Sequence, residues 1–234
     1  MKGQQLPLSV QLRESASFDS FFAGPNALAV KALRELAGSV LIYGAVGSGR
    51  THLLQAVARE RRCPYLPLTE LRALGADALQ GLEQPAVLCL DDLDAVSDDC
   101  DWALALLRLL DARRSHALST VLSANAAPDR IATTLPDLRT RLTLSAVFGL
   151  KPLDDDQRVQ LLQERARARG LELPVEVSNW LMKQLPRDTG SLLGALETLD
   201  RAALSAKRRL TLPFVQTIFV PSVPAPATSR TDSD

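Results

Sequence analysis

The run Gly44-Ala45-Val46-Gly47-Ser48-Gly49-Arg50-Thr51 has the spacing of a phosphate-binding loop, G-x-x-x-x-G-K-[ST], with arginine in the lysine position. Its glycines let successive backbone N–H groups converge on phosphate oxygens at a helix N-terminus, where the helix dipole also favours negative charge. Thr51 offers a hydroxyl to Mg²⁺. The chemistry implied is binding of ATP or ADP with Mg²⁺ by Gly44, Gly47, Ser48, Gly49, Arg50 and Thr51. Arg50 keeps the charge but is longer and planar, so it does not replace a compact ammonium between the terminal phosphates. Binding is expected to survive and hydrolysis to be impaired.

Two further positions extend this chemistry. The apolar run 86–91 ends in Asp91-Asp92, which puts carboxylates at the carboxyl end of a strand beside the loop. Asp91 is the candidate to hold Mg²⁺ through water and Asp92 to orient an attacking water; the bland alternative is a helix-capping loop. Asn125 follows the run 118–123 and is a candidate sensor of the γ-phosphate, or equally a turn residue before Pro128.

The elements that must carry these residues alternate. Short apolar runs at 39–43, 64–68, 86–91, 118–123 and 147–150 are separated by helical patterns, which predicts a five-stranded parallel sheet covered by helices on both faces. Ahead of the first strand, an aromatic cluster and a Gly-Pro-Asn turn lead into a helix whose apolar spacing is Leu28, Ala32, Leu33 and Leu36. Beyond Lys151-Pro152 only helical patterns follow, at 155–169, 175–185, 189–206 and 212–219. Asp154 and Gln157 form a capping-box pair at the start of that series. The expected organisation is an extended arm over 1–16, an α/β nucleotide-binding domain over 17–151, a small helical domain over 152–220 and a disordered tail over 221–234. The nucleotide is expected at the junction of the two domains.

Composition narrows the function classes. Of 234 residues, 46% are hydrophobic and 23% charged, as in a globular protein rather than a disordered one. The 27 basic and 27 acidic residues cancel, so no global field draws the chain to nucleic acid or membrane, and direct DNA contact is expected to be weak or indirect. The basic clusters at 59–62, 165–169 and 207–209 read as solvated helix ends. Cys63, Cys89 and Cys100 form no CxxC pair, which argues against a disulfide framework or metal knuckle and for a reducing cytosol. No leader pattern or membrane-length apolar window appears, so a cytoplasmic location is expected. Trp102 and Trp180 are expected in helices as core or interface residues.

Several blocks, in order, resemble the bacterial DnaA-type AAA+ proteins, and within them the Hda branch of short homologues that inactivate DnaA after replication starts. They are "FDSFFAGPNALA", the loop block "GSGRTHLLQA", the box "LPDLRTRL", and "LELPVEV" with "LTLPFV" in the helical region, together spanning about residues 4 to 220. The resemblance implies an AAA+ fold with a helical lid. His52 joins the nucleotide-binding set as part of the family's loop helix. Gln5-Leu6-Pro7-Leu8 looks like the Gln-Leu-x-Leu peptide that binds the DNA polymerase III sliding clamp, with Gln5 setting register and Leu6 and Leu8 filling an apolar groove. In the box, the second arginine, Arg141, would be an arginine finger acting in trans, with Arg139 its close competitor.

The function implied is regulatory rather than enzymatic. Bound to the DNA-loaded clamp, the protein would stimulate hydrolysis of DnaA-bound ATP, with weak hydrolysis of its own and possible homo-oligomers. Two rivals stand beside it: a self-hydrolysing helicase loader, and a clamp adaptor that binds nucleotide without stimulating a partner. One departure touches the lid. Where DnaA-like lids carry a phosphate-contacting arginine before "ELEGAL", this chain has Gly190, and the nearest basic residue is Arg187.

Overall fold

Every one of the five apolar runs forms a strand: β1 Val40–Tyr43, β2 Tyr65–Pro67, β3 Val87–Asp91, β4 Ser119–Ala124 and β5 Ala146–Gly149. All pair in parallel in the order β2-β3-β4-β1-β5. Registers such as Ile42 opposite Ser123 and Tyr43 opposite Gly149 align the carboxyl ends of the central strands. The computed structural model describes residues 16–186 and 188–219, so Gln5, Leu6, Leu8, Arg187 and the 221–234 tail lie outside the described residues.

Strand alternation divides the core into two layers. Leu41, Leu88, Leu90 and Leu122 face one side, where they meet Trp102, Leu106 and Leu109 of the helix Cys100–Ser115 and Leu138 and Leu142 of the helix Pro136–Thr143. Val40, Ile42, Cys89 and Val121 face the other side, against Leu33 of the helix Ala27–Glu35 and Leu53, Leu54 and Val57 of the helix Arg50–Arg61. In chain order these helices are α1 (27–35), α2 (50–61), a single turn α3 at Leu68–Leu71, α4 (100–115) and α5 (136–143). Trp102 is therefore a core residue, 3% exposed.

The face of α1 differs from its expected stripe. Ala29 and Leu33 are buried, while Leu28 is 76% exposed and Leu36 lies past the last turn in a left-handed conformation. Gly24-Pro25-Asn26 makes a 3-10 turn that leads into α1 at Ala27, and Ala29 and Leu33 are the residues that join the cluster with β1 and α2. Asn26 then acts as a clip. Its side-chain nitrogen donates to the Lys151 carbonyl at 3.0 Å and its oxygen accepts from the Lys151 N–H at 2.8 Å.

The described chain parts into two units between Leu153 and Asp154. The second unit contains α6 Asp155–Ala168, α7 Val175–Gln184, α8 Thr189–Ala206 and α9 Leu212–Phe219. Its start is the capping box: Asp154 accepts from the Gln157 N–H at 2.8 Å, and the Gln157 side chain accepts from the Asp154 N–H at 3.0 Å. Leu162, Leu181, Leu192, Leu196, Leu199 and Val215 close its own apolar core.

Candidate phosphate-binding site

The loop 44–49 leaves the end of β1 and runs directly into α2. Its start is pinned to the sheet, since the Gly44 N–H donates to the Ala124 carbonyl at 3.2 Å. A Cβ at Gly44 would lie 2.9 Å from the Ser48 hydroxyl and 3.0 Å from the Leu150 carbonyl oxygen, so a larger residue would displace the Ser48 side chain and crowd that carbonyl. Gly49 caps α2 with φ +96°, and a Cβ there would meet Phe21 Cε2 at 2.6 Å. The aromatic segment thus wedges against the helix N-terminus.

Two buried polar atoms at this N-terminus have no hydrogen-bond partner among the described residues: Ser48 Oγ and Arg50 Nη1. Both are donors, and they sit beside the exposed N–H groups of a helix start. Buried donors left unsatisfied are costly in isolation and call for an acceptor. The donor set fits a phosphate-bearing ligand with Mg²⁺ as its counter-ion.

Arg50 is 7% exposed, and its Nη2 lies 3.4 Å from Asp92 Oδ1. Asp92 is held in a left-handed conformation, φ +59°, with its N–H donating to Ser123 Oγ at 2.8 Å. Burial pushes the Asp92 carboxyl above the usual aspartate range and the neighbouring Asp91 charge adds to this, while Arg50 opposes it. The predicted neighbours Arg50 and Asp92 are therefore brought together as an ion pair.

Asp91 ends β3, as its run predicts. It is 1% exposed, and its oxygens accept from Tyr65 Oη at 2.7 Å and from Ser123 Oγ. Burial and the Asp91 charge push the Tyr65 phenol well above its ordinary range, which keeps it protonated as the donor. No hydrogen bond joins Thr51 to Asp91 among the described residues, and no group of three or more His, Cys, Asp or Glu is placed to hold a metal by itself. A role for Thr51 and Asp91 toward Mg²⁺ thus depends on the nucleotide bringing the ion.

His52 lies in the first turn of α2. Its Nε2 is directed to the Ser17 carbonyl at 2.9 Å and to Ser20 Oγ at 3.1 Å, with Phe21 tilted against the ring. It anchors the aromatic segment to α2. Asn125 is exposed at the end of β4, with its N–H bonded to Asp94 Oδ2. That places it one residue beyond the carbonyl that pins Gly44, and its side chain makes no hydrogen bond among the described residues.

On α5 the two box arginines diverge. Arg139 turns back, its Nη2 donating to the Ile131 carbonyl at 3.2 Å. Arg141 forms an ion pair through Nε with Asp111 of α4, both side chains partly exposed. In the second unit, Gly190 lies in the first turn of α8, where Asp188 caps the helix by accepting from the Ser191 N–H at 2.8 Å. Tyr65, Ser123 and Asp111 carry no motif signal. A polar residue within an apolar strand run was the one available hint for Tyr65 and Ser123.

Comparison with known proteins fits this geometry. The family description "Hda, lid domain" matches residues 155–219. An uncharacterised protein of Haemophilus influenzae is 36% identical over 227 residues, covering 92% of this chain and 98% of that protein. The chain belongs to the Hda family of DnaA-homologous AAA+ proteins. Domain III of the replication initiation protein DnaA of Thermotoga maritima has the same fold, with a TM-score of 0.73 at 20% identity over 90% of this chain and 99% of that one. The AMPPCP-bound DnaA of Aquifex aeolicus gives a TM-score of 0.69 at 20% identity over 82% of this chain and 67% of that one. The DnaA likeness accounts for the five-stranded AAA+ sheet, and the Hda lid match for the helical unit.

Proposed function

We propose that this Hda-family protein binds ADP or ATP in the 44–51 loop and, held on the DNA-loaded sliding clamp by Gln5, Leu6 and Leu8, stimulates hydrolysis of ATP bound to DnaA. The observation that carries the reading is the divergence of the two arginines on α5: Arg139 is tied to its own backbone, whereas Arg141 is held by the side chain of Asp111 at a partly exposed position. A guanidinium gripped at Nε can turn its two terminal nitrogens toward an anion outside the chain. The reaction itself is attack of water on the partner's γ-phosphate, and Arg141 would stabilise the charge developing on the transferring phosphoryl group.

The protein's own pocket serves binding rather than turnover. Arg50 is drawn to Asp92, so neither the positive charge for a γ-phosphate nor the carboxylate for an attacking water is unencumbered. Ser48, Arg50 and the loop N–H groups grip phosphate, Phe21 and His52 steady the helix from behind, and Asn125 borders the loop. Nucleotide analogue AMPPCP bound to a DnaA of the same fold supports a nucleotide in this pocket.

The test is hydrolysis of radiolabelled ATP by DnaA with clamp-loaded DNA, with and without the protein. Stimulation is expected with the wild-type chain and loss of about 10³ to 10⁵ in the stimulated rate with Arg141→Ala. Arg141→Lys is expected to rescue little, because an ammonium lacks the fork geometry. Normal stimulation by Arg141→Ala sinks the assignment; an inactive Arg139→Ala moves it by two residues.

A further inference from the structure

Away from the phosphate loop, at the opposite end of α2, two thiols stand together. Cys63 Sγ and Cys89 Sγ are 3.9 Å apart. Cys63 follows the left-handed Arg62 that ends α2, and its N–H still donates to the Ala58 carbonyl at 3.0 Å. Cys89 is in the middle of β3, fully buried, and its N–H donates to the Pro64 carbonyl at 3.0 Å. The backbone beside one cysteine is thus hydrogen-bonded to the backbone of the other. A disulfide needs sulfurs about 2.05 Å apart, so a closure of roughly 2 Å by side-chain rotation is required, with the two backbone segments already locked as neighbours.

We propose that Cys63 and Cys89 are a redox modification site, forming a reversible disulfide with a peroxide as oxidant. The two sulfurs have unequal roles. Cys63 is half-buried and reachable, whereas Cys89 is inaccessible at 0% exposure. The hydrogen bond with Cys89 holds the Cys63 thiol below its ordinary range against the opposing effect of burial, and Arg113 and Arg61 favour the same thiolate. Cys89, sealed from solvent, is out of an oxidant's direct reach. Cys63 is therefore the nucleophile and Cys89 the resolving thiol.

The steps balance. The Cys63 thiolate attacks one peroxide oxygen, the O–O bond breaks, and Cys63 becomes a sulfenic acid as hydroxide leaves and is protonated to water. The Cys89 sulfur then attacks the Cys63 sulfur, the S–O bond breaks, and the Cys89 proton leaves with that oxygen as a second water. Two thiols are oxidised by two electrons and one peroxide is reduced to two waters. A standing disulfide framework was not expected from the cysteine spacing, and this pair is of the transient kind found in reducing compartments.

The bridge would clamp the tail of α2 to β3. The opposite ends of those two elements carry the phosphate loop and Asp91, so the modification acts on the scaffold of the candidate site without touching it.

The experiment treats the folded full chain with hydrogen peroxide, removes excess peroxide, blocks free thiols with iodoacetamide in denaturant and maps the peptides by mass spectrometry. The expected result is a Cys63–Cys89 cross-linked peptide that dithiothreitol reverses, with free thiols falling from the three present to one. Cys100 is exposed and serves as internal reference. In Cys100→Ser the link should form unchanged, and in Cys63→Ser the buried Cys89 should stay reduced. Recovery of Cys63 and Cys89 as free thiols while Cys100 is oxidised overturns the proposal. So does a link that appears only in unfolding urea, or oxidation of Cys89 at an undiminished rate in Cys63→Ser.

Discussion

Gly49→Ala probes how the aromatic segment and the phosphate loop are joined. Gly49 sits at φ +96°, ψ 14°, where a β-carbon costs about 1 to 2 kcal/mol from its own backbone. The added carbon would also lie 2.6 Å from Phe21 Cε2 and 3.3 Å from Cζ, so the ring must move out of a half-buried site. Overpacking of that kind costs roughly 1 to 3 kcal/mol. Together the two effects amount to roughly 2 to 5 kcal/mol, a large part of the about 5 to 15 kcal/mol that holds a domain folded. Removing the ring separates them. In a Phe21→Ala background the steric part vanishes and Gly49→Ala should cost only the backbone part, a coupling of about 1 to 3 kcal/mol. The assay is urea unfolding of the wild type, both single variants and the double variant, followed by circular dichroism. A cost below about 1 kcal/mol for Gly49→Ala, or the same cost in both backgrounds, refutes the reasoning. A fluorescent ADP analogue should bind more weakly in both Gly49 variants, because the backbone change re-aims the loop N–H groups whether or not the ring is present.

Three further outcomes are expected. Tyr65→Phe removes a 2.7 Å donor from the buried Asp91 carboxylate and should destabilise the protein by about 1.5 to 3 kcal/mol in urea, the range for a hydrogen bond to a charged group. Asp92 has its carboxyl pKa raised by folding, so the stability it contributes is fully present below the ordinary aspartate range and is lost as pH rises through the raised value. Asp92→Asn, which mimics the protonated form, should therefore unfold at higher urea than wild type at neutral pH. Its advantage should shrink as pH falls toward about 4, and a constant difference across that window contradicts the assignment. Replacing Leu6 and Leu8 together by Ala should abolish capture by immobilised sliding clamp, since each buried leucine is worth about 1.5 to 3 kcal/mol. Undiminished capture removes the arm from the mechanism.

Much of this molecule is legible in its sequence because its signals are local. Short, mostly apolar runs mark all five strands, and Asp154 with Gln157 marks the start of the helical unit within a span of three residues. The phosphate loop is equally local, since its glycines answer to backbone angles set inside the loop. What escapes the sequence is the set of partners that only packing supplies. Tyr65 and Ser123 reach Asp91 across 26 and 32 residues, and neither belongs to a spacing rule. The same holds for Asp111 beside Arg141 and for Cys63 beside Cys89. His52 adds a further case: its bonds to the Ser17 carbonyl and Ser20 Oγ span 35 and 32 residues, and no spacing rule foretells them. The exposed Leu28 has a related cause, because packing against β1 and α2 selects Ala29 and Leu33 as the buried face of α1.

The strand order has a consequence for synthesis on the ribosome. β1 is the first strand made, yet its two neighbours are β4 and β5, the last two. The roughly 75 residues between Tyr43 and Ser119 take on the order of 4 to 15 s to add at cellular translation rates. During that interval Val40, Leu41 and Ile42 have no strand to pair with, and the nascent chain presents an apolar segment that holdase chaperones bind. The phosphate loop closes later still, because Leu150 donates its N–H to the Tyr43 carbonyl and its own carbonyl packs against Gly44. Under the proposed function, a nucleotide therefore cannot assist the early stages of folding and can stabilise only the nearly finished domain.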